Sequence, residues 1–241
     1  MMVYRKELFD LPEGVIYLDG NSLGALPRGV QARAAEVIGA QWGKSLIRSW
    51  NDHGWMGLPR RVGDRIARLI GAPEGSVMVG DTLSIKVFQA LAAALSLHPD
   101  RRVILSDNGN FPSDLYVAQG LIALKDQGYE LRLVEPEAVI SDIDDSVAAV
   151  LLTEVDYRSG RRHDMAEVTR VAQHHGAVMI WDLAHSAGAL AVDLAGSGCE
   201  FAVGCTYKYF NGGPGAPAFI YVRPDLIESA RPGLSGWMGH A

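Results

Sequence analysis

Two stretches of this chain, Val147-Ala-Ala-Val-Leu-Leu152 and Ala177-Val-Met-Ile-Trp181, are apolar at every position. A strand with one wet face alternates apolar and polar residues, so an unbroken apolar strand must be covered on both faces. Shorter runs of related character begin at Val77, Arg102, Tyr129, Phe201 and Ala218. Between them lie segments of helical period. Pro59 to Ile70 repeats apolar residues at Val62, Ile66, Leu69 and Ile70, and is stopped by Gly71 and Pro73. Another helix starts near Ser84 and runs through Val87, Leu91 and Leu95; two more are expected at Leu115–Gln127 and Met165–His175. Strands alternating with helices predict an α/β fold, a mainly parallel doubly wound sheet with helices on both faces.

The N-terminal part is less regular. Residues 15–29 read as a short extended piece breaking into a Gly/Asn/Pro loop, with a helix from Val30 to about Trp42 behind it. Gly43-Lys44-Ser45 imitates the tail of a phosphate-binding P-loop. The first glycine of that motif would fall on Ile38 and no strand leads in, so the likeness is rejected. Residues 48–57, rich in Trp and polar groups, read as a surface loop that could wall a substrate.

Composition narrows the function. A net charge of −6 gives no basic footprint for nucleic acid. No window has the apolar length that spans a bilayer, and the first residues carry acid and no apolar h-region, so neither a membrane nor a signal peptide is expected. The two cysteines, Cys199 and Cys205, have no metal-ligand spacing, so no metal site and a reduced, cytoplasmic setting are expected.

In doubly wound sheets ligands sit beyond the carboxyl ends of the strands, and the polar residues here gather at such ends. Strand, then Gly80-Asp-Thr-Leu-Ser84, then helix makes a corner with free backbone N–H groups, suited to an anion or simply a helix cap. Phe111, Thr153 and Asp182 close other strands. Lys208 sits between two tyrosines in Cys205-Thr-Tyr-Lys-Tyr-Phe-Asn-Gly-Gly-Pro-Gly-Ala216, where the glycines let something approach the backbone closely. A desolvated lysine is a nucleophile able to form a Schiff base. A buried carboxylate such as Asp182 needs a cation or hydrogen bonds, and a protonated pyridine nitrogen is one such cation. An imine-forming lysine, a pyridinium partner and a phosphate anchor are together what pyridoxal 5'-phosphate requires. Taken singly, each residue has a plainer reading: a solvated hairpin lysine, a strand-end cap.

Four stretches carry a resemblance. Asp182-Leu-Ala-His-Ser-Ala-Gly-Ala, Thr-Tyr-Lys208-Tyr-Phe-Asn-Gly-Gly-Pro-Gly-Ala, Asn110-Phe-Pro-Ser-Asp-Leu-Tyr116 and Tyr17-Leu-Asp-Gly-Asn-Ser-Leu-Gly24 closely resemble the kynureninases. Those are pyridoxal-phosphate enzymes of the class V aminotransferase-like group, with the large domain of fold type I. Ser49-Trp-Asn and Gly236-Trp-Met-Gly-His240 fit as well, so the resemblance covers nearly the whole chain. It implies that Lys208 carries the cofactor as a Schiff base and later moves protons. Asp182 would pair with the pyridine nitrogen, His185 would contact the cofactor nearby, and Phe111 would lie against the ring face. Asp114 would belong to the same contacting loop, with Thr153 as a further cofactor contact. Leu83 and Ser84 would hold the phosphate, aided by the hydroxyl of Tyr207, which could also carry a proton. Trp237 would reach the phosphate of a neighbouring subunit, which implies a homodimer. Asn51, His53 and Trp55 would border the substrate's aromatic ring.

The implied reaction is hydrolysis of an amino-acid substrate, L-kynurenine or its 3-hydroxy form, to anthranilate (or 3-hydroxyanthranilate) and L-alanine. Cysteine desulfurases and aminotransferases of the same group share the Asp and Lys but usually place histidine where Phe111 stands. The resemblance divides the chain into an N-terminal arm and helical segment (1–58) and a cofactor-binding large domain (59–241). Members of the family continue past the equivalent of Ala241 into a small domain that supplies a carboxylate-gripping arginine. No residue here is assigned to that role, so a fragment that holds cofactor without turnover is a further expectation.

Overall fold

A computed structural model of the chain describes residues 5–234 and 236. Seven strands form one sheet: β1 (Val77–Val79), β2 (Val103–Asp107), β3 (Glu130–Val134), β4 (Val147–Thr153), β5 (Val178–Asp182), β6 (Phe201–Gly204) and β7 (Phe219–Val222). Their order is β1-β7-β6-β5-β4-β2-β3. The pairings β2·β3, β2·β4, β4·β5 and β5·β6 are parallel, whereas β7 runs antiparallel to both β6 and β1. The mainly parallel sheet is as the sequence predicts. The chain steps outward from β2 to β3 and then returns to the other side of β2 for β4, so the winding reverses between β2 and β4. That reversal opens a crevice at the carboxyl ends of these strands.

Alternate residues of each central strand feed opposite cores, which explains why no position could be polar. Ile104, Ala149, Leu151, Ile180 and Val203 pack toward the Leu83–Leu97 and Pro112–Lys125 helices. Leu105, Val150, Leu152, Met179, Trp181 and Ala202 face the other core, with the Leu58–Leu69 and Met165–His174 helices. Trp181, fully buried, satisfies its indole by donating to Thr169 Oγ1 at 3.0 Å. The Leu58–Leu69 helix lies against β1 so tightly that a Cβ on Gly63 would run into the Val77 carbonyl. Among the described residues no helix is long and apolar enough to cross a membrane.

Several boundaries differ from the sequence reading. The helix after β2 starts at Pro112, not Leu115, because proline suits the first helical turn; Asp114 therefore stands on a helix, not in a loop. Residues 15–19 join no strand; the Tyr17 hydroxyl instead donates to the Leu23 carbonyl at 2.7 Å, within the same loop. The helix from Val30 keeps α winding only to Glu36 and continues as a wider π-type winding over Val37–Trp42. Gly43–Ser45 is part of the same helical run, consistent with rejecting it as a phosphate loop.

Candidate active site

Four strand ends meet at the crevice. Asp182 ends β5 and Thr153 ends β4, paired in register, and Asn110 and Phe111 follow β2. Asn110 donates to Ser106 Oγ at 3.0 Å and accepts from Thr153 Oγ1, so the ends of β2 and β4 are tied by side chains. Its Oδ1 also accepts the Phe111 N–H at 2.7 Å, which fixes the start of the Pro112–Lys125 helix. Phe111 is the N-cap of that helix and keeps 36% of its surface open.

Lys208 enters from the turn after β6 and is buried. Its Nζ lies 2.6 Å from His185 Nε2, 5.6 Å from the Phe111 ring centre and 5.8 Å from that of Tyr207. Burial first, and then the Lys208 charge, push the His185 pKa down to about 4, so the ring is neutral. Nε2 then accepts from the lysine, and Nδ1 is buried with no partner among the described residues.

Asp182 is buried completely, and that burial pushes its carboxyl up to about 6. The Ala184 N–H (2.8 Å to Oδ1), the Lys208 charge and Thr153 Oγ1 (3.5 Å to Oδ2) pull the other way. Asp114, one turn into its helix, is raised well above the carboxylate range by burial and next by the Asp182 charge. Its Oδ2 also lacks a partner. Two buried acids thus stand beside one buried lysine, and burial together with their mutual repulsion favours a proton on the pair.

The glycine-rich turn is held by its own backbone and by the N-terminal arm. Asn211 N–H returns to the Lys208 carbonyl at 2.9 Å with Asn211 at φ 58°, and Gly212 N–H to the Thr206 carbonyl at 2.9 Å. Gly24 donates to the Tyr207 carbonyl at 2.8 Å, and Asn211 Nδ2 to the Ala25 carbonyl at 3.0 Å. A Cβ at Gly24 would collide with the Lys208 carbonyl and stand 2.7 Å from Asn211 Cα. Gly24→Ala is therefore expected to cost about 1–3 kcal/mol by overpacking, read as a lower denaturation midpoint, and to displace Lys208. The corner after β1 adjoins the same turn: Gly80 donates to the Ala218 carbonyl (2.9 Å) and Ala218 to that of Asp81 (3.0 Å). Leu83 and Ser84 occupy the first turn of the helix there, and Thr82 offers it no side-chain cap. Tyr207 is half-buried, and burial, then Cys205, raise its hydroxyl to about 12, so it stays a donor at neutral pH.

The substrate-wall residues stand apart. Trp55 donates to Gln41 Oε1 at 2.9 Å, meets Trp50 edge-on, and lines a cleft of roughly 800 Å³ with Thr206, Phe210 and Gly80. His53 pairs with Ser45 at 3.0 Å, and Asn51 is exposed; neither lines that cleft. Trp237 lies outside the described residues. The sequence reading passed over Tyr157, whose ring touches both Phe111 and His185. It sits in a stretch read only as a polar loop, and no local pattern marks it.

Comparison with known proteins gives the chain a family. A family model described as aminotransferase class-V matches residues 58–238. A kynureninase of Burkholderia pseudomallei (strain 1106a) is 57% identical over 240 residues, covering 98% of this chain and 58% of that protein. One from Pseudomonas fluorescens is 53% identical over 241 residues, with the same shares. The chain thus spans 58% of the length of these curated relatives. Among solved structures, the cysteine desulfurase CsdA of Escherichia coli superposes with a TM-score of 0.80 at 16% identity, over 98% of this chain and 62% of that one. An apo cysteine desulfurase from Thermococcus onnurineus gives 0.77 at 21%, with the same shares. At such identities the likeness concerns the fold.

Proposed function

The chain belongs to the aminotransferase class-V family, and from that premise we propose that it carries the cofactor-holding machinery of a kynureninase. In this reading residues 59–241 are the pyridoxal-phosphate domain and 1–58 an arm that packs on it. The reaction is L-kynurenine, or its 3-hydroxy form, plus water giving anthranilate (or 3-hydroxyanthranilate) and L-alanine. It is a step of tryptophan catabolism leading toward NAD, carried out by a cytoplasmic homodimer.

The residues present fit pyridoxal phosphate. The buried acid pair has one lysine, Lys208, beside it, and among the described residues Asp114 Oδ2 and His185 Nδ1 are buried polar atoms without a partner, as expected of groups that face a ligand. Asp182 would hold the ring nitrogen, His185 and Thr153 the ring substituents, and Phe111 the ring face. Leu83 and Ser84, at an uncapped helix start, would hold the phosphate together with the Tyr207 hydroxyl.

When bound, pyridoxal phosphate supplies a carbonyl that condenses with amines and a ring that stores electrons released at the substrate's α-carbon. Lys208 Nζ would be the base that takes the proton from that carbon. Neutral His185 accepts from Nζ at 2.6 Å and so aims the amine without competing as an acid. Asp182, kept anionic by a cation in place of its shared proton, would fix the charge at the far side of the ring. Phe111 shields one face from water. Tyr207, a donor at neutral pH, is suited to delivering a proton to a leaving carbon.

The observation that carries this reading is a buried lysine whose hydrogen-bond partner is a neutral imidazole, with two acids buried behind it. Phenylalanine at position 111, where the desulfurases usually carry histidine, favours kynurenine over cysteine chemistry. Purified chain mixed with pyridoxal phosphate and L-kynurenine is expected to develop imine absorption and release fluorescent anthranilate. Imine absorption with cysteine consumed and kynurenine untouched would replace this reading with a desulfurase.

A further inference from the structure

The loop between β4 and the Met165–His174 helix is tied down far more than a solvent loop needs to be. Asp156 Oδ1 accepts the Arg158 N–H (2.9 Å), the Ser159 N–H (2.7 Å) and the Ser159 hydroxyl (2.9 Å). Asp156 N–H returns to the Arg161 carbonyl at 2.8 Å, and Gly160 N–H to the Asp156 carbonyl at 2.9 Å. At the loop's base, fully buried Glu154 takes the Arg162 guanidinium at 2.9 Å. Buried His163 and Asp107 meet at 2.8 Å. What this framework presents is Tyr157. Its ring stands 5.0 Å from Phe111 in edge contact (68°) and 6.1 Å from His185, more nearly parallel (27°). The Arg158 guanidinium covers it at 5.4 Å.

We propose that Tyr157 is a positioning residue: the Asp156 turn sets its ring so that it braces Phe111 and His185 in the pocket of Lys208. The brace explains why the loop is so heavily bonded. Phe111 is about one-third open and sits at a helix end, and His185 Nδ1 has no hydrogen-bond partner among the described residues, so neither ring is fixed by its own bonds alone. A ring fixed by packing needs a rigid neighbour, and a rigid neighbour on a loop needs a rigid loop. The consequence for cofactor rests on the pyridoxal-phosphate reading; the brace itself is a property of the cofactor-free chain.

The test compares wild type with Tyr157→Ala and Tyr157→Phe in the full chain. In cofactor-free protein, Tyr157→Ala is expected to make His185 several-fold more reactive toward diethyl pyrocarbonate, whereas Tyr157→Phe, which keeps the ring, leaves it as in wild type. With pyridoxal phosphate, Tyr157→Ala is expected to raise the cofactor Kd about tenfold, the scale of losing two aromatic contacts. It should also shrink the induced circular dichroism of the bound cofactor, a signal that mere loss of stability does not move. Equal His185 reactivity in all three proteins overturns the brace, and so does Tyr157→Phe behaving like Tyr157→Ala. A wild type that forms no imine absorption sinks the cofactor reading instead, and the His185 labelling then decides the brace by itself.

Discussion

Lys208→Ala is expected to abolish the imine absorption with pyridoxal phosphate and to lower kynurenine turnover by at least about 10³-fold, the scale of a positioned acid–base group. The one other buried lysine among the described residues, Lys86, is held by Asp81 (2.9 Å) and Gln89 (3.0 Å) on the helix after β1. Lys208→Arg separates the roles: it keeps the cation beside Asp182 and Asp114 but has no amine to condense. It should fold with a far-UV spectrum like wild type and bind cofactor without imine absorption. Turnover retained by either variant would remove Lys208 from the chemistry.

The sheet was legible because its strands are covered on both faces. Val147–Leu152 and Ala177–Trp181 could not have been read as wet strands, and their carboxyl ends carried Thr153 and Asp182 to one crevice. The convergence of Ser84, Phe111, Thr153, Asp182 and Lys208 followed from order along the chain plus the rule that such ends bind ligands, whereas His185 entered only through the resemblance. What stayed hidden depends on contacts between elements distant in sequence. Gly24 reads as one glycine of a loop, yet its neighbour in space is the Lys208 carbonyl. Tyr157 is a polar-loop residue until the fold lays it on Phe111 and His185. Asp114 is a different case: Pro112 was a usable signal for an earlier helix start, which carries Asp114 inward to meet Asp182.

Asp182→Asn is expected to stabilise the cofactor-free chain at neutral pH while weakening its grip on cofactor. The Asp182 carboxyl is raised from an ordinary value near 3.8 to about 6. A carboxyl raised on folding contributes stability that is fully present below its unfolded pKa and is lost as pH rises through its folded pKa. For Asp182 that loss falls between about pH 4 and pH 6 and amounts to about 3 kcal/mol. Asp114, raised in the same direction by burial and the Asp182 charge, adds a loss of the same sign. His185 works against both. Its pKa is depressed to about 4, so its neutral form favours the fold above the unfolded value and loses that advantage as pH falls. The wild-type melting profile between pH 4 and pH 7 therefore combines slopes of opposite sign, the two acids pulling stability down with pH and His185 pulling it up. Asparagine keeps the shape and can still accept the Ala184 N–H, but it does not titrate. The variant should match wild type near pH 4, gain steadily to pH 7, and stand about 3 kcal/mol higher there. With the Asp182 slope gone, its profile should climb more with pH than that of wild type, because the His185 slope is then opposed by Asp114 alone. Parallel melting profiles for the two proteins would mean that Asp182 is already ionised and satisfied without a ligand. The cost of burying it, which makes the pocket receptive to a cationic ring, would then be absent.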